Sequence, residues 1–284
     1  MCHFIGLIAL QVTAGTLRNY ERHLKLFHVW LEDLGYSTLL DDIHPDLIVH
    51  CFEDIWHAGY CYATPNALRS GIALAFRRAL RDPPYPTDHP SVKSALKGYK
   101  RAAACRSVKR MPIVYAMYCF VLQFVAIDVD LDERNQVHAA VRLGYELLLR
   151  VSEVLAICVH HLLLLATCVE ITIPSSKTDQ LARGITFRIT DPTLCRLLAE
   201  LVARVKSGPL FSITATQLNA IIRAVAARGH WQGYYSFHSL RHGKATDLWL
   251  STGDILLVMR AGRWSTAAAT RWYIHKIVAP PATC

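Results

Sequence analysis

The chain has 284 residues, of which 52% are hydrophobic, and it carries a formal net charge of +9 at pH 7. This length suits one large or two ordinary domains, and we interpret the chain as two. No apolar run is long enough to span a membrane, and the apolar start MCHFIGLIALQV lacks the basic flank and cleavage site of a secretory signal. The excess positive charge favours an anionic partner, with nucleic acid as the first candidate.

The nine cysteines are odd in number, scattered and never spaced C-x-x-C. This pattern is typical of reduced intracellular thiols, and it predicts neither a disulfide framework nor a zinc site. His238 and His242 are four residues apart, a spacing that also suits two zinc ligands, but the glutamate of H-E-x-x-H and a third ligand are missing. We therefore predict no metal and no cofactor.

The first hundred residues predict a small all-helical domain, 1–103. Apolar residues recur at spacings of three and four within 13–35, which places them on one helical stripe. Pro45, Pro65 and Pro90 mark the starts of three further helices, because proline is tolerated in the first helical turn. The helix after Pro90 is expected to be shorter. The breakers in RDPPYPTDHP end the third helix.

A basic stretch follows this domain. Residues 91–110, SVKSALKGYKRAAACRSVKR, contain seven lysines or arginines and no acidic residue. One interpretation is a solvated helix face and linker, and the other is a strap that lies along a phosphate backbone and releases its counterions. We place the linker between the domains at 104–112. The candidate DNA-binding residues are Lys93, Lys97, Lys100, Arg101, Arg106, Lys109 and Arg110.

The second domain is predicted to cover 113–284. Two segments in its middle, CVEITIP and GITFRIT, alternate apolar and polar residues and predict a β-hairpin. The predicted elements are helix from about 113 to 158 with an interruption near 128–132, strands at 168–174 and 184–190, and helices from 191 to the end. The expected fold class is therefore mainly α with a small antiparallel β-hairpin or sheet, in two domains.

Two stretches of this domain place charges beside apolar residues. In LLLRVSEVL, Arg150 follows three leucines and Glu153 lies one helical turn later, so the two residues form either a structural or a functional pair, because burying a lone charge is costly. In SFHSLRHGKAT, His238 and Arg241 share one face of a predicted helix. A histidine satisfied at the helix start and a salt-bridged arginine are the structural alternative there.

Three further residues are ordinary when taken singly. Lys177 lies in the predicted hairpin loop, where most lysines are merely solvated. Trp264 precedes Tyr273 by nine residues in a predicted helical stretch, and either aromatic residue alone would more often belong to the core.

Together and in this order, these residues resemble the pattern of the tyrosine recombinase (phage integrase) family. Glu153 corresponds to the acid that supports the first arginine, and residues 13–103 resemble the helical core-binding domain of the family, which leaves 113–284 as the catalytic domain. The segments G-R-W-S and S-K-T-D-Q are similar to recombinases of eukaryotic mobile elements. The resemblance identifies six catalytic positions: Arg150, Lys177, His238, Arg241, Trp264 and Tyr273.

The resemblance implies DNA strand transfer through a covalent intermediate. Phosphoryl transfer relies on positioned cations, so two arginines would clamp the phosphate oxygens. Tyr273 would attack phosphorus and form a 3′-phosphotyrosine bond, with His238 easing the loss of its proton. Lys177 would protonate the departing 5′-oxygen, and Trp264 would donate its indole N–H to the phosphate. Rejoining would then need neither ATP nor a metal.

The implied partner is double-stranded DNA carrying specific recombination sites, bound by a homotetramer, and the resemblance leaves open whether the free protein is a monomer. We expect an intracellular, DNA-associated protein with no membrane attachment, located in the nucleus if its source is eukaryotic. Two alternatives stay open: a type IB topoisomerase-like strand transferase, and a catalytically silent DNA-binding remnant of a mobile element.

The sequence departs from the family pattern in two places. Only eleven residues, IHKIVAPPATC, follow Tyr273, whereas many members carry a longer C-terminal helix that docks on a neighbouring subunit. Arg263 stands directly before Trp264, where a different alignment would place the catalytic histidine of other members. The apolar start also suggests that the chain is one end of a larger element-encoded protein.

Overall fold

The structure is a computed structural model that describes residues 12–104, 110–129, 131–174 and 184–274. The chain divides into two compact units, residues 1–107 and 108–284. The predicted fold class, mainly α with a small antiparallel sheet, is confirmed. Among the described residues, no helix has the length and apolar character needed to cross a membrane.

The described part of the first unit is helical throughout. Helix α1 packs against α3, and α2 packs against α4. Its core is made of side chains such as Phe27, Leu31, Phe52 and Ile72, which are almost fully buried. The helices are α1 Ala14–Asp33, α2 Pro45–His57, α3 Ala63–Arg78 and α4 Pro90–Ala104, with short 3-10 turns at Leu40–Asp42 and Pro86–Asp88.

The ends of α1 follow from local chemistry. The Thr13 hydroxyl accepts a hydrogen bond from the Thr16 backbone N–H at 3.3 Å, which caps the first turn. At the other end Gly35 adopts a left-handed conformation with φ 74°, where a side chain would be strained. The chain therefore turns away after Asp33, and Leu34, predicted to lie on the apolar stripe, is 48% exposed.

Helix α4 carries most of the basic stretch. Val92, Leu96 and Tyr99 are buried on one side of this helix. Its opposite side is exposed and basic, so the predicted strap is largely a helix face. With 15 residues, α4 is shorter than α1 and α3 but longer than α2. The basic residues on this face are Lys93, Lys97, Lys100 and Arg101. Arg106 and Lys109 lie outside the described residues.

The second unit surrounds a larger core. Its largest buried side chains include Ile113, Leu143, Tyr145, Leu149 and Phe237. The helices are α5 Tyr115–Asp128, α6 Leu131–Glu146, α7 Val151–Leu155, α8 Pro192–Val205, α9 Ala215–Arg228, α10 His238–Thr252, α11 Ile255–Gly262 and α12 Ala267–Arg271, with a 3-10 turn at Val159–His161.

The sheet of this unit has three antiparallel strands, β1 Leu162–Leu164, β2 Val169–Ile173 and β3 Ile185–Ile189, in the order β1-β2-β3. The predicted hairpin is confirmed, with Val169 opposite Ile189 and Ile173 opposite Ile185. The β1 strand was not predicted, because its run of leucines lacks the alternation that marks a strand.

The chain entering the second unit runs beside the start of α10. Met111 donates its backbone N–H to Tyr234 at 2.9 Å, and Ile113 donates to Ser239 at 2.9 Å. The Ile113 carbonyl lies where a Cβ at position 243 would stand, so only glycine fits in the H-G-K sequence of α10. These contacts fix the position of the helix that carries His238 and Arg241.

Candidate active site

Arg150 lies at the N-terminal boundary of α7. Leu148, in a left-handed conformation with φ 50°, turns the chain after α6, and Arg150 then serves as the N-cap residue. Glu153, at the third helical position, accepts the Arg150 backbone N–H at 2.9 Å and its guanidinium Nη1 at 2.6 Å. The sequence interpretation, which put both residues on one helix, is wrong in this detail, because the Glu153 carboxylate caps the new helix there.

Glu153 also holds a second arginine. The Arg263 Nη2 lies 2.8 Å from Glu153 Oε2 and 3.1 Å from the Leu148 carbonyl oxygen. Only 4% of the Glu153 side chain is exposed. Burial alone would raise the pKa of Glu153, but the hydrogen bonds from Arg150 and the charge of Arg263 outweigh burial and lower it. Glu153 is therefore an ionised carboxylate between two guanidinium groups.

Arg241 is the largest fully buried side chain among the described residues. It donates to the Leu148 carbonyl oxygen and, at 2.5 Å, to the Gly262 carbonyl oxygen. Burial and the charges of Arg150 and Arg263 lower the pKa of Arg241 to about 10, so Arg241 remains cationic at neutral pH. The Leu148 carbonyl accepts bonds from both Arg241 and Arg263, which brings these two arginines to one point.

The side chain of Tyr273 packs into the same place. Its ring centroid lies 4.4 Å from that of Trp264, 4.6 Å from that of His242 and 5.4 Å from that of His238. The Arg241 Cζ lies 5.5 Å from the Tyr273 centroid and 4.7 Å from the Trp264 centroid. Trp264 lies in the break between α11 and α12, and Tyr273 is the second residue after α12. Neither is inside a helix as predicted, because both helices are short and end before these residues.

His238 is neutral at pH 7. Burial and the positive charges of Arg110, Arg241 and Arg150 lower the pKa of His238 to about 4. A neutral imidazole can accept a proton, and this one lies beside the Tyr273 ring. The site thus places a neutral imidazole, which can accept a proton, beside a tyrosine, which can lose one.

Several buried N–H donors of the site have no hydrogen-bond partner among the described residues. They are the Nε of Arg241, the Nε and Nη1 of Arg263 and the Nε1 of Trp264. Buried donors are nearly always paired in folded proteins, so such a cluster needs an acceptor. The Arg241 and Trp264 donors lie beside Tyr273, and unpartnered donors next to positive charge are suited to an anion such as a phosphate group.

The structure thus brings together five of the six predicted catalytic residues, and Glu153 with them. Lys177, the sixth, lies outside the described residues. No group of three or more His, Cys, Asp or Glu side chains in the described ranges could hold a metal ion.

Sequence reasoning missed two residues of the site. The sequence marks Arg263 only as a residue that a different alignment would match to a histidine, and nothing in its spacing indicates a pairing with a carboxylate 110 residues earlier. His242, which stacks on Tyr273 with an interplanar angle of 27°, enters the sequence analysis only as a metal-ligand candidate. Its position one turn after His238 was the available signal.

The fold is shared with tyrosine recombinases of known structure. XerH site-specific recombinase bound to palindromic difH substrate has a TM-score of 0.66 at 17% identity, covering 90% of this chain and 75% of that one. The Tn1549 transposon integrase in complex with transposon right end DNA gives 0.64 at 16% identity, covering 94% and 92%. A lambda integrase tetramer bound to a Holliday junction gives 0.65 at 16% identity, covering 99% and 78%.

Sequence comparison adds the family. No curated protein sequence matches the chain significantly. The sequence model of the phage integrase family, in contrast, matches residues 125–279, which is more than half of the chain and includes every predicted catalytic position. The resemblance inferred from the sequence is therefore confirmed, and the chain belongs to the phage integrase family of tyrosine recombinases.

Proposed function

We propose that this chain is a site-specific DNA recombinase that cleaves and rejoins DNA strands through a covalent 3′-phosphotyrosine bond at Tyr273. The observation that carries the proposal is the packing of the Tyr273 ring against His238, Trp264 and the Arg241 guanidinium. A tyrosine placed among cations and unpartnered donors can attack a phosphate bound there.

The two arginines of the motif form the phosphate clamp in this proposal. Arg150 is held by the Glu153 carboxylate, and Arg241 is held by the Leu148 carbonyl. Their planar forks of donors suit two non-bridging oxygens, which acquire charge around the transition state. The indole N–H of Trp264, which lacks a partner among the described residues, would donate one more hydrogen bond.

Proton transfer completes the step. The Tyr273 hydroxyl gives its proton to neutral His238 as its oxygen bonds to phosphorus, and the bond from phosphorus to the 5′-oxygen breaks. The family resemblance assigns protonation of that 5′-oxygen to Lys177. Because the tyrosyl ester retains the energy of the phosphodiester, a 5′-hydroxyl can reverse the step and rejoin the strand without ATP.

DNA binding and assembly follow the same reasoning. We expect both units to contact DNA, with the exposed basic face of α4 supplying salt-sensitive affinity. Recombination joins two duplexes at four strand ends, so the working assembly is a homotetramer on DNA, as in the lambda integrase complex with a Holliday junction. We expect the protein to be located in the cell compartment that contains its DNA substrate.

Covalent trapping tests this proposal. A library of labelled duplexes, each with one nick, is drawn from the flanks of the gene and from random sequence, since a nick lets the short 5′-hydroxyl fragment leave and prevents rejoining. After denaturation, the native chain should retain label in a protease-sensitive adduct that forms without added metal, whereas Tyr273→Phe should retain none. Tyr115→Phe, which removes an exposed tyrosine of the same unit, is the matched control.

Other outcomes would select other functions. DNA binding without an adduct on any duplex would contradict the proposal and favour a silent DNA-binding protein. An adduct on single duplexes, with supercoil relaxation but no joining of two sites, would favour a type IB topoisomerase. Exchange of flanking labels between two selected duplexes is the result that distinguishes a recombinase.

A further inference from the structure

Arg150, Arg241 and Glu153 together carry too little positive charge for a phosphate-binding site. Glu153 is ionised and bonded to Arg150 at 2.6 Å, so its charge cancels one of the two positive charges of the clamp. A phosphodiester carries one negative charge and gains more as the reaction proceeds. A clamp with a net charge of only +1 would serve this reaction poorly, and the buried glutamate would compete with the phosphate for Arg150.

Arg263 supplies the positive charge that Glu153 cancels. Its guanidinium contacts Glu153 at 2.8 Å and the Leu148 carbonyl at 3.1 Å, and 11% of its side chain is exposed. Its Cζ also lies 5.4 Å from the centroid of the Phe187 ring on β3, which helps hold the guanidinium in place. When Arg150, Arg241 and Arg263 are counted against the one carboxylate, the net charge of the cluster is +2.

The backbone at this position brings the guanidinium to the site. Arg263 ends α11 in a left-handed conformation with φ 56° and directly precedes Trp264. Arg263 shares a hydrogen-bond acceptor with each motif arginine. It shares Glu153 with Arg150 and the Leu148 carbonyl with Arg241.

We propose that Arg263 is a positioning residue of the strand-transfer site: it neutralises Glu153 and thereby leaves the full charge of Arg150 and Arg241 available to the phosphate. The inference rests on the proposed function. Its prediction is specific, because it concerns a balance of charge: a variant that loses Arg263 should be improved by also removing the charge of Glu153.

The test compares single-turnover cleavage of a nicked duplex selected by the trapping experiment. Arg263→Met should cleave about 10- to 100-fold more slowly than the native chain at saturating DNA, less than the 10²–10³ typical of losing a donor that touches the transition state. Arg263→Lys should keep more of the rate, since it keeps the charge. Arg188→Met, which removes an arginine from the exposed Arg188–Glu170 pair at 2.8 Å, should cleave at the native rate.

The double variant decides between a charge role and a packing role. Glu153→Gln/Arg263→Met restores a net charge of +2 and keeps an amide oxygen as acceptor for Arg150, so it should cleave faster than Arg263→Met. If Arg263 only packs, the second substitution will slow cleavage further, and that result overturns the inference. Thermal unfolding of each variant confirms that folded protein is compared.

The inference and the proposed function fail differently. If the native chain forms no adduct, the proposed function fails and the inference with it. If the native chain forms the adduct and Arg263→Met forms it at the native rate, the inference alone is wrong. Lost DNA binding in Arg263→Met would also contradict it, because the proposed role leaves the DNA-contacting surfaces unchanged.

Discussion

At the scale of single residues, the site depends on how charges are held away from water. Glu153 stays ionised only because two arginines face it, and His238 stays neutral because three arginines and burial oppose its protonation. The cluster of positive charge around Arg150 contributes to both states, and burial is the largest cause for His238. Two predictions concern individual side chains of this cluster.

His238 should make stability depend on pH. Its pKa of about 4 in the folded chain is below the value of about 6.5 for an unfolded histidine, so the unfolded state binds more protons between these values. The free energy of unfolding should therefore fall as the pH drops from about 6.5 to about 4, by on the order of 2–3 kcal/mol from this residue. Denaturant unfolding across that range should show a shallower decline for His238→Asn.

The native chain and His238→Asn differ only at this histidine, so the difference between their unfolding free energies excludes the contribution of the other thirteen histidines. His44→Asn, in which a histidine with a 75% exposed side chain is lost, controls for the loss of a histidine as such. Parallel curves for the native chain and His238→Asn would show that the surroundings of His238 do not oppose its protonation.

Trp264 should act through its indole N–H. Trp264→Phe keeps most of the ring packing against Tyr273 and Arg241 but removes the one donor, so stability should change little. Cleavage at saturating DNA should slow about 10- to 100-fold, as expected for one hydrogen bond to a charged group. Trp272→Phe, which changes an 82% exposed neighbour of Tyr273, should cleave normally. Equal rates for Trp264→Phe and the native chain would leave the ring with a packing role only.

At the scale of elements, α10 positions the site because its first turn is held by the chain that enters the unit. Ile113 donates to the Ser239 carbonyl, and its own carbonyl lies directly against Gly243. The helix cannot shift toward this segment without a steric clash, which fixes the start of α10, with His238 and Arg241, against the entering chain.

Gly243→Ala should therefore destabilise the second unit even though alanine is the better helix former. The new Cβ would overlap the Ile113 carbonyl, and we expect a loss of about 2 kcal/mol or more, as for overpacked positions. Gly98→Ala in α4, where a Cβ meets nothing within 4 Å, should be neutral or stabilising by up to about 1 kcal/mol. Chemical denaturation of both variants measures the contrast, and equal effects would show that Ile113 moves aside.

The elements also show what the sequence could predict. Helix starts at Thr13 and Pro45, and the alternation in β2 and β3, depend on local chemistry and were readable from neighbouring residues. The β1 strand depends on pairing with β2, and the pairing of Arg263 with Glu153 joins residues far apart in the chain. Such contacts arise from tertiary packing, which leaves no periodic signal in one sequence.

The predicted catalytic positions were a different case. Arg150, His238, Arg241 and Tyr273 were predicted from their order and spacing by resemblance, since each had an ordinary structural explanation when taken alone. The geometry of these residues could not be predicted from the sequence. The turn at Leu148 that makes Arg150 an N-cap residue requires a positive φ at a leucine, which local sequence disfavours.

At the scale of the whole molecule, the chain combines a strongly basic helix face in one unit with a cationic site in the other. The exposed residues Lys93, Lys97 and Lys100 recur at spacings of three and four along α4, so they form a row on one face. The proposed function gives the two features different tasks: the row supplies affinity for DNA, and the site supplies reactivity.

Removing the row should therefore weaken binding without slowing the chemistry. In Lys93→Ala/Lys97→Ala/Lys100→Ala, the slope of log Kd against log salt concentration should fall by up to about 2.7, since each phosphate contact contributes about 0.9. Cleavage of the selected nicked duplex at saturating DNA should stay within about two-fold of the native rate, because none of the three lysines belongs to the site.

The matched control is Arg18→Ala/Arg22→Ala/Lys25→Ala, which removes the same charge from exposed positions of α1. If both triple variants lose the same affinity, net charge alone explains binding; a larger loss for the α4 variant assigns the contact to that face.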